Sequence, residues 1–379
     1  MLPARRFSPL RLADVMPSCL DAILGAPNTL ELPPTPKVVV VLADGLGAGA
    51  IKARAGHARF LAARLGKTSV VDGVFPATTA AGIATLTTGT EPGMHGLVGY
   101  KVLGPGGDRI VNQLSGWDDE MEPSTWQRTR TVFEKATDAG VMSFAIGPKR
   151  YRTSGFTLAV LRGAEYVPAE SVADRFAAAR RILDTQPSAL VYLYVAELDV
   201  AAHAYGWESP RWLAELEGLD AELTRFAATL RRDEGLLVTA DHGVIDVPAD
   251  RHVLYDTVPE LVAGVRHIGG DPRCLHLYVD PEDDTVTAET LAAAWRDAEG
   301  ERAWVMTRDE AVGAGLFGVV DPEVLPRIGD VIVSARKLVA YYDSREINQS
   351  SRSMIGQHGA LTDDEVRVPL VRAGAFERR

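Results

Sequence analysis

Three long apolar runs, each leading into an acidic residue, constrain this chain more than anything else in it. They are Val38-Val39-Val40-Val41-Leu42-Ala43 before Asp44, Leu190-Val191-Tyr192-Leu193-Tyr194-Val195 shortly before Glu197-Leu198-Asp199, and Leu236-Leu237-Val238-Thr239-Ala240 before Asp241-His242-Gly243. Uninterrupted apolar runs rich in β-branched residues read as central parallel strands covered on both faces. Such sheets gather ligands beyond the carboxyl ends of their strands. Acids at three of those ends therefore predict one shared polar pocket.

Histidines complete the pattern. His203 stands four residues after Asp199, so the two share a face if the segment is helical. His242 follows Asp241, and His358 lies in Gly356-Gln357-His358-Gly359, where small neighbours permit a close approach. These residues form two donor groups: Asp199, His203 and His358 for one ion, and Asp44, Asp241 and His242 for a second. Carboxylate oxygen with imidazole nitrogen suits zinc best, and manganese or iron less well. Singly, an Asp-x3-His pair is an ordinary helix surface and Asp241 an ordinary helix cap. The set carries meaning because one fold must bring all six to the same sheet edge.

A chain of 379 residues exceeds a typical single domain and is expected as one α/β core with an insertion. The net charge of −11 argues against a nucleic-acid polymer as partner, so a small anionic substrate would be drawn in by metal. Two cysteines cannot build a disulfide framework. Neither an apolar signal region nor a run of about 18 apolar residues occurs, which leads us to expect a cytoplasmic protein with no membrane partner. Nothing in the pattern specifies an oligomeric state.

Residues 1–36 read as an N-terminal extension ending in Pro33-Pro34-Thr35-Pro36. Helical periodicity is expected to about Leu65 after the first strand, then over Gly82–Thr88, Trp126–Ala139, Ser171–Leu183 and Trp212–Arg232. Strands are expected at Thr68–Val71, Val141–Ile146, Leu190–Val195 and Leu236–Thr239. Such alternation predicts a three-layer α/β sandwich with a mostly parallel central sheet. Between 246 and 340 the segments shorten, with a strand over Cys274–Val279, a helix over Ala288–Ala298 and a strand over Trp304–Met306. That block reads as a small α+β cap inserted into a core made of 37–245 and 341–379.

One further segment carries chemistry. Val74-Phe75-Pro76-Ala77-Thr78-Thr79 precedes a small-residue helix that ends at Thr88-Gly89, with Glu91-Pro92-Gly93-Met94-His95-Gly96 after it. A hydroxyl at such a helix start meets backbone N–H groups and a positive dipole end. Thr78 or Thr79 is thus either a helix cap or a nucleophile that a nearby ion would activate.

Asp44-Gly45, Phe75-Pro76 with its following threonine, Thr88-Gly89 with Pro92 and His95-Gly96, Asp199 with His203, Asp241-His242-Gly243 and His358-Gly359 together resemble the nucleotide pyrophosphatase/phosphodiesterase branch of the alkaline phosphatase superfamily. The resemblance runs in order from about residue 37 to 370. It implies an alkaline phosphatase-like fold and a zinc-dependent phosphodiesterase or pyrophosphatase using two ions. Thr79 would attack phosphorus in line, passing through a phosphothreonine, and would itself ligate the ion held by Asp44, Asp241 and His242. Asp199, His203 and His358 would hold the other.

Two departures from the family pattern bear on substrate. An asparagine usual after the His-Gly motif is replaced by Leu97-Val98-Gly99-Tyr100, leaving Tyr100 or Asn112 to supply a phosphoryl-oxygen donor. The usual aromatic-Pro-Asn after the nucleophile is here Ala80-Ala81-Gly82. Tyr100, Trp117, Phe156, Tyr205 and Trp207 could stack on a base, and Lys149, Arg150 and Arg152 could meet substrate charge. A phosphonate hydrolase or phosphomonoesterase could use the same residues. Two further alternatives are a dinucleotide-binding protein, because Gly45-x-Gly47-x-x-Ala50 follows a strand with Asp72 ending the next, and a non-catalytic binder of a phosphorylated ligand.

Overall fold

A computed structural model describes residues 10–66 and 68–377. Its centre is a six-stranded sheet made of β1 (Lys37–Ala43), β2 (Ser143–Gly147), β3 (Glu165–Pro168), β4 (Ala189–Val195), β5 (Glu234–Thr239) and β6 (Val371–Gly374), in the order β6-β5-β1-β4-β2-β3. All neighbours run parallel except β6, which pairs antiparallel with β5. Every residue of β1 is buried, so both faces are covered, as its unbroken valine run requires. Helix Val172–Thr185 packs on β4 and β2, while helix Val15–Ile23 packs on β1 and β4. The mostly parallel α/β core expected from the apolar runs is the one observed.

Register fixes the functional edge. Ala43 is level with Val195, and Leu42 with Thr239. Asp44, the start of helix Glu197–Tyr205 and Asp241 consequently leave the sheet side by side.

The segment ahead of the proline connector is no loose extension. Val15, Met16 and Cys19 of its helix are fully buried in the main core. Expected helix Trp126–Ala139 is two pieces, Pro123–Trp126 and Val132–Asp138, because Thr131 caps a fresh start with Glu134 in a capping box. The short strand at Val70–Asp72 pairs with Arg367–Pro369, outside the main sheet.

Residues 265–335 contain a four-stranded antiparallel sheet in the order Val265–Asp271, Cys274–Val279, Val331–Ala335, Ala303–Thr307. Helix Ala288–Glu299 packs on it. Leu275, Leu277, Leu291, Trp295, Val305 and Val333 form a core separate from the main one. The hairpin tip between the first two strands reaches back to the edge of the parallel sheet, where Arg273 makes a fully buried ion pair with Glu365.

Candidate metal centre

Asp44, Asp241 and His242 offer one ligand atom each within 4.8 Å of one another, and so do Asp199, His242 and His358. His242 stands between the two groups, its ring stacked on His358 at 3.7 Å. His203 joins from helix Glu197–Tyr205, with Nε2 3.3 Å from Asp199 Oδ2 and its ring 5.2 Å from that of His358. All six residues expected to form a pocket meet there. The tight groupings differ in one respect from expectation: His242, rather than His203, completes the trio with Asp199 and His358.

Second contacts orient the imidazoles. Nδ1 of His203 lies 2.7 Å from the Gly356 carbonyl, Nδ1 of His358 2.9 Å from the Ala77 carbonyl, and Nδ1 of His242 3.1 Å from the Gly243 carbonyl. A carbonyl only accepts, so each Nδ1 carries a proton and each Nε2 faces inward, where the neutral ring offers a lone pair. This is the arrangement that orients metal-binding histidines.

The carboxylates fit a cation for a second reason. Asp44 Oδ1, Asp199 Oδ1 and Asp241 Oδ2 are buried without any hydrogen-bond partner. Buried anionic oxygens left so are costly unless paired or bound to metal. Burial, followed by the charges of Asp241 and Asp199, pushes the Asp44 carboxyl well above its usual range. Burial raises Asp241 as well. Burial pushes Asp199 up too, but His203 outweighs it and holds the carboxyl down. Burial alone would lower His203, but Asp199 overrides it and lifts the imidazole to about 9. His358 is held well below its usual value by burial and by His242.

The two threonines separate cleanly. Thr78 is the N-cap of helix Thr79–Thr88, its side chain accepting from the Ala81 N–H at 3.4 Å. Thr79 opens the helix with Oγ1 3.1 Å from His242 Nε2. Gly82, three residues on, lies so close to Asp241 that an added Cβ would sit 2.6 Å from the Asp241 Cβ. Small residues after the threonine are thus what lets this helix abut the carboxylate edge.

Other expected residues divide. Burial raises the Tyr100 phenol, with the neighbouring Asn112 pulling the other way, and Asn112 Oδ1 accepts from the Leu114 and Ser115 N–H groups. Trp117 and Phe156 line a cavity of about 490 Å³ that also touches Thr79. Trp207 packs edge-on to Trp212 with the Arg54 guanidinium over its ring, and Tyr205 is exposed, so neither joins that cavity. Lys149 and Arg150 begin a short 3-10 helix, where Arg150 stacks on Tyr151, and exposed Arg152 follows. The glycine turn after β1 is no dinucleotide cradle. Its Gly45 N–H donates to Asp241 Oδ1, and at Gly47 a Cβ would lie 2.9 Å from the Asp364 carbonyl.

Two residues escaped the sequence reading. Tyr194 of β4 donates a 2.5 Å hydrogen bond to Asp44 Oδ2. Alternation along the strand could have placed it on the Thr79 side, but nothing marked its partner. Asp271, at the tip of the Val265–Asp271 hairpin, has Oδ2 buried without a partner; burial raises its carboxyl to about 7, with His203 and Lys101 pulling the other way. Gly359, at φ +129°, leaves just enough room for it, since an added Cβ would stand 3.3 Å from Asp271 Cβ.

The chain has an alkaline phosphatase-like fold, with groups at the carboxyl edge of its sheet that could hold metal ions. Residues 38–361 match the family described as type I phosphodiesterase/nucleotide pyrophosphatase, and the chain belongs to that family. Among solved structures, murine ectonucleotide pyrophosphatase/phosphodiesterase 5 is similar with a TM-score of 0.67 at 17% identity, covering 89% of this chain and 88% of that one. An inactive threonine-to-alanine form of it in complex with AMP gives 0.66. Phosphonoacetate hydrolase from Sinorhizobium meliloti 1021 in complex with phosphonoformate also gives 0.67 at 17% identity, covering 90% and 91%. Curated proteins yield no match. No helix of the described residues is long and apolar enough to cross a membrane.

Proposed function

We propose that this phosphodiesterase/pyrophosphatase-type hydrolase works with two divalent ions, zinc by preference, and with Thr79 as nucleophile on a small phosphorylated substrate. One observation carries the reading: Thr79 Oγ1 lies 3.1 Å from His242 Nε2, at the junction of two donor groups in which one buried oxygen of each aspartate has no hydrogen-bond partner. Asp44, Asp241 and His242 would hold the ion beside Thr79, and Asp199, His203 and His358 the other. Bound there, such ions supply Lewis acidity toward phosphoryl oxygens and neutralise developing charge.

The chain's own residues do the rest. Thr79 sits at a helix start, where the first N–H groups and the dipole favour anionic oxygen. Its hydroxyl attacks phosphorus, the P–O bond to the leaving alcohol breaks, and the threonine phosphoester is then hydrolysed by water. Thr78, by capping the helix, keeps the first turn in place. Tyr194 fixes one oxygen of Asp44 so that the other faces the centre. The inactive threonine-to-alanine neighbour bound to AMP supports a threonine nucleophile and a phosphate-ester ligand.

The phosphonoacetate hydrolase neighbour favours a second reading, cleavage of a phosphonate on the same residues. A cytoplasmic location is proposed on the low cysteine count. The test is hydrolysis of bis-p-nitrophenyl phosphate, p-nitrophenyl phosphate and phosphonoacetate before and after chelation and zinc return. We expect the diester to be preferred, chelation to abolish turnover, and Thr79→Ala to lose at least about 1,000-fold in rate while keeping its metal. Turnover that survives chelation, or a Thr79→Ala protein that remains active, would refute the mechanism.

A further inference from the structure

We infer that the cavity beside Thr79 receives an uncharged, flat apolar substituent of the substrate, such as an aryl ester group, and recognises it by shape. This rests on the phosphoester reading above and narrows it to a substrate class. The cavity has a volume of about 490 Å³, and its wall includes Thr79 and Ile83 of the nucleophile helix, Trp117, Phe156, Tyr192 and Tyr194. No aspartate, glutamate, lysine, arginine or histidine lines it among the described residues.

Most polar side chains in that wall are already engaged. Trp117 Nε1 donates to the Gln113 carbonyl at 2.8 Å, Tyr166 OH to the Pro148 carbonyl at 2.8 Å, and Tyr194 OH to Asp44. The Ser154 and Thr157 hydroxyls bond to each other at 3.0 Å, and Tyr151 OH accepts from Arg150. Apart from Thr79, that leaves Ser115 and Tyr192 as the wall's side-chain hydroxyls with no partner among the described residues.

Chemistry follows from this inventory. A second phosphate or a carboxylate placed there would lose its hydration with no cation to replace it. A nucleobase could stack on the rings, but most donors and acceptors along its edge would go unpaired. A plain aromatic ring leaves nothing unsatisfied and gains the full burial of its surface. Phosphonoacetate, with one small charged arm, has no group that suits the space.

Calorimetric binding to the full chain, with zinc returned after chelation, tests this using phenylphosphonate, methylphosphonate, phosphonoacetate and AMP. Phenylphosphonate is expected to bind at least about tenfold more tightly than methylphosphonate and phosphonoacetate, and AMP no more tightly than phenylphosphonate. Ile83→Trp and, separately, Leu114→Trp should fill the cavity and erase the phenyl advantage. The wild-type series decides the matter even if neither variant folds. Equal binding of the phenyl and methyl compounds overturns the inference while leaving the phosphoester site standing. Tighter binding of phosphonoacetate or AMP overturns it as well, by showing recognition of charge or of base edges. Failure of all four to bind zinc-loaded protein overturns the phosphoester reading itself, a different pattern from the others.

Discussion

His203 shows how a single residue registers the metal it is proposed to hold. In the ion-free protein its imidazole is lifted to about 9 by Asp199, so it is charged at neutral pH. A ligand must give up that proton, and zinc uptake at this site should release it. Apparent zinc affinity is therefore expected to rise by about tenfold per pH unit from neutrality and to level off near pH 9, measured by chelator competition. His203→Gln should flatten that slope. A slope unchanged by the substitution would mean that His203 is no ligand. Thr78 differs from its neighbour Thr79 in what it should cost to lose: Thr78→Ala removes a cap, so a loss of about 1 kcal/mol in thermal stability is expected, with metal content unaltered. Asp44, Asp199 and Asp241 were legible because each follows a strand whose composition names it a strand, and Thr79 was legible by resemblance once the local reading had left Thr78 open. Asp271 was not legible, because it arrives on an antiparallel hairpin tip whose sequence holds no strand-end signature; its place beside the site depends on a tertiary approach to Gly359.

At the scale of elements, the parallel strands and long helices could be read from periodicity, whereas the joins could not. Helix Val15–Ile23 hid behind the proline connector because its burial comes from docking on β1, β4 and the nucleophile helix, which its own sequence does not reveal. Strands Val265–Asp271 and Val331–Ala335 went unread because Gly269 and Gly270 interrupt one and a proline-rich turn precedes the other. The join with most consequence is that between hairpin tip and core. Arg273 donates from Nε and Nη2 to Glu365 at 2.8 and 2.7 Å, and from Nη1 to the Val339 and Lys337 carbonyls, while Glu365 also accepts the Ala360 N–H. That pair ties the sheet of residues 265–335 to the loop carrying His358. Removing one partner leaves a buried charge uncompensated, which typically costs about 3–5 kcal/mol. Glu365→Gln is thus expected to lower the denaturation midpoint strongly and to weaken metal binding, through displacement of His358. Replacing both, as Arg273→Met with Glu365→Leu, should recover much of the stability but less of the metal affinity. Equal recovery of both would show that the pair does not position the His358 loop.

For the whole molecule, the carboxylate-rich edge is a cost that bound ions would convert into stability. Asp44 is raised by burial and by its acidic neighbours, Asp241 is raised by burial, Asp271 is raised to about 7 and His203 to about 9. A group raised on folding contributes stability that is complete below its unfolded value and is lost as pH climbs through its folded value. Asp199 alone among the site acids runs the other way, and its depressed value matters below the range considered. Ion-free protein should therefore lose stability from about pH 4 to pH 9, with Asp271 responsible for the loss up to about pH 7, His203 for the loss from about pH 6.5 to pH 9, and Asp44 adding to the slope. Zinc reverses the sign at the ligands, since Asp44, Asp241 and His203 must be deprotonated to bind it, and at about 100 times its dissociation constant it should stabilise the fold by about 2.7 kcal/mol per site. Thermal melts over this range, with chelator and with zinc, are expected to diverge steadily as pH rises. Parallel curves would mean that the carboxylates are neutralised by the protein alone, and the edge of the sheet would then have no need of metal.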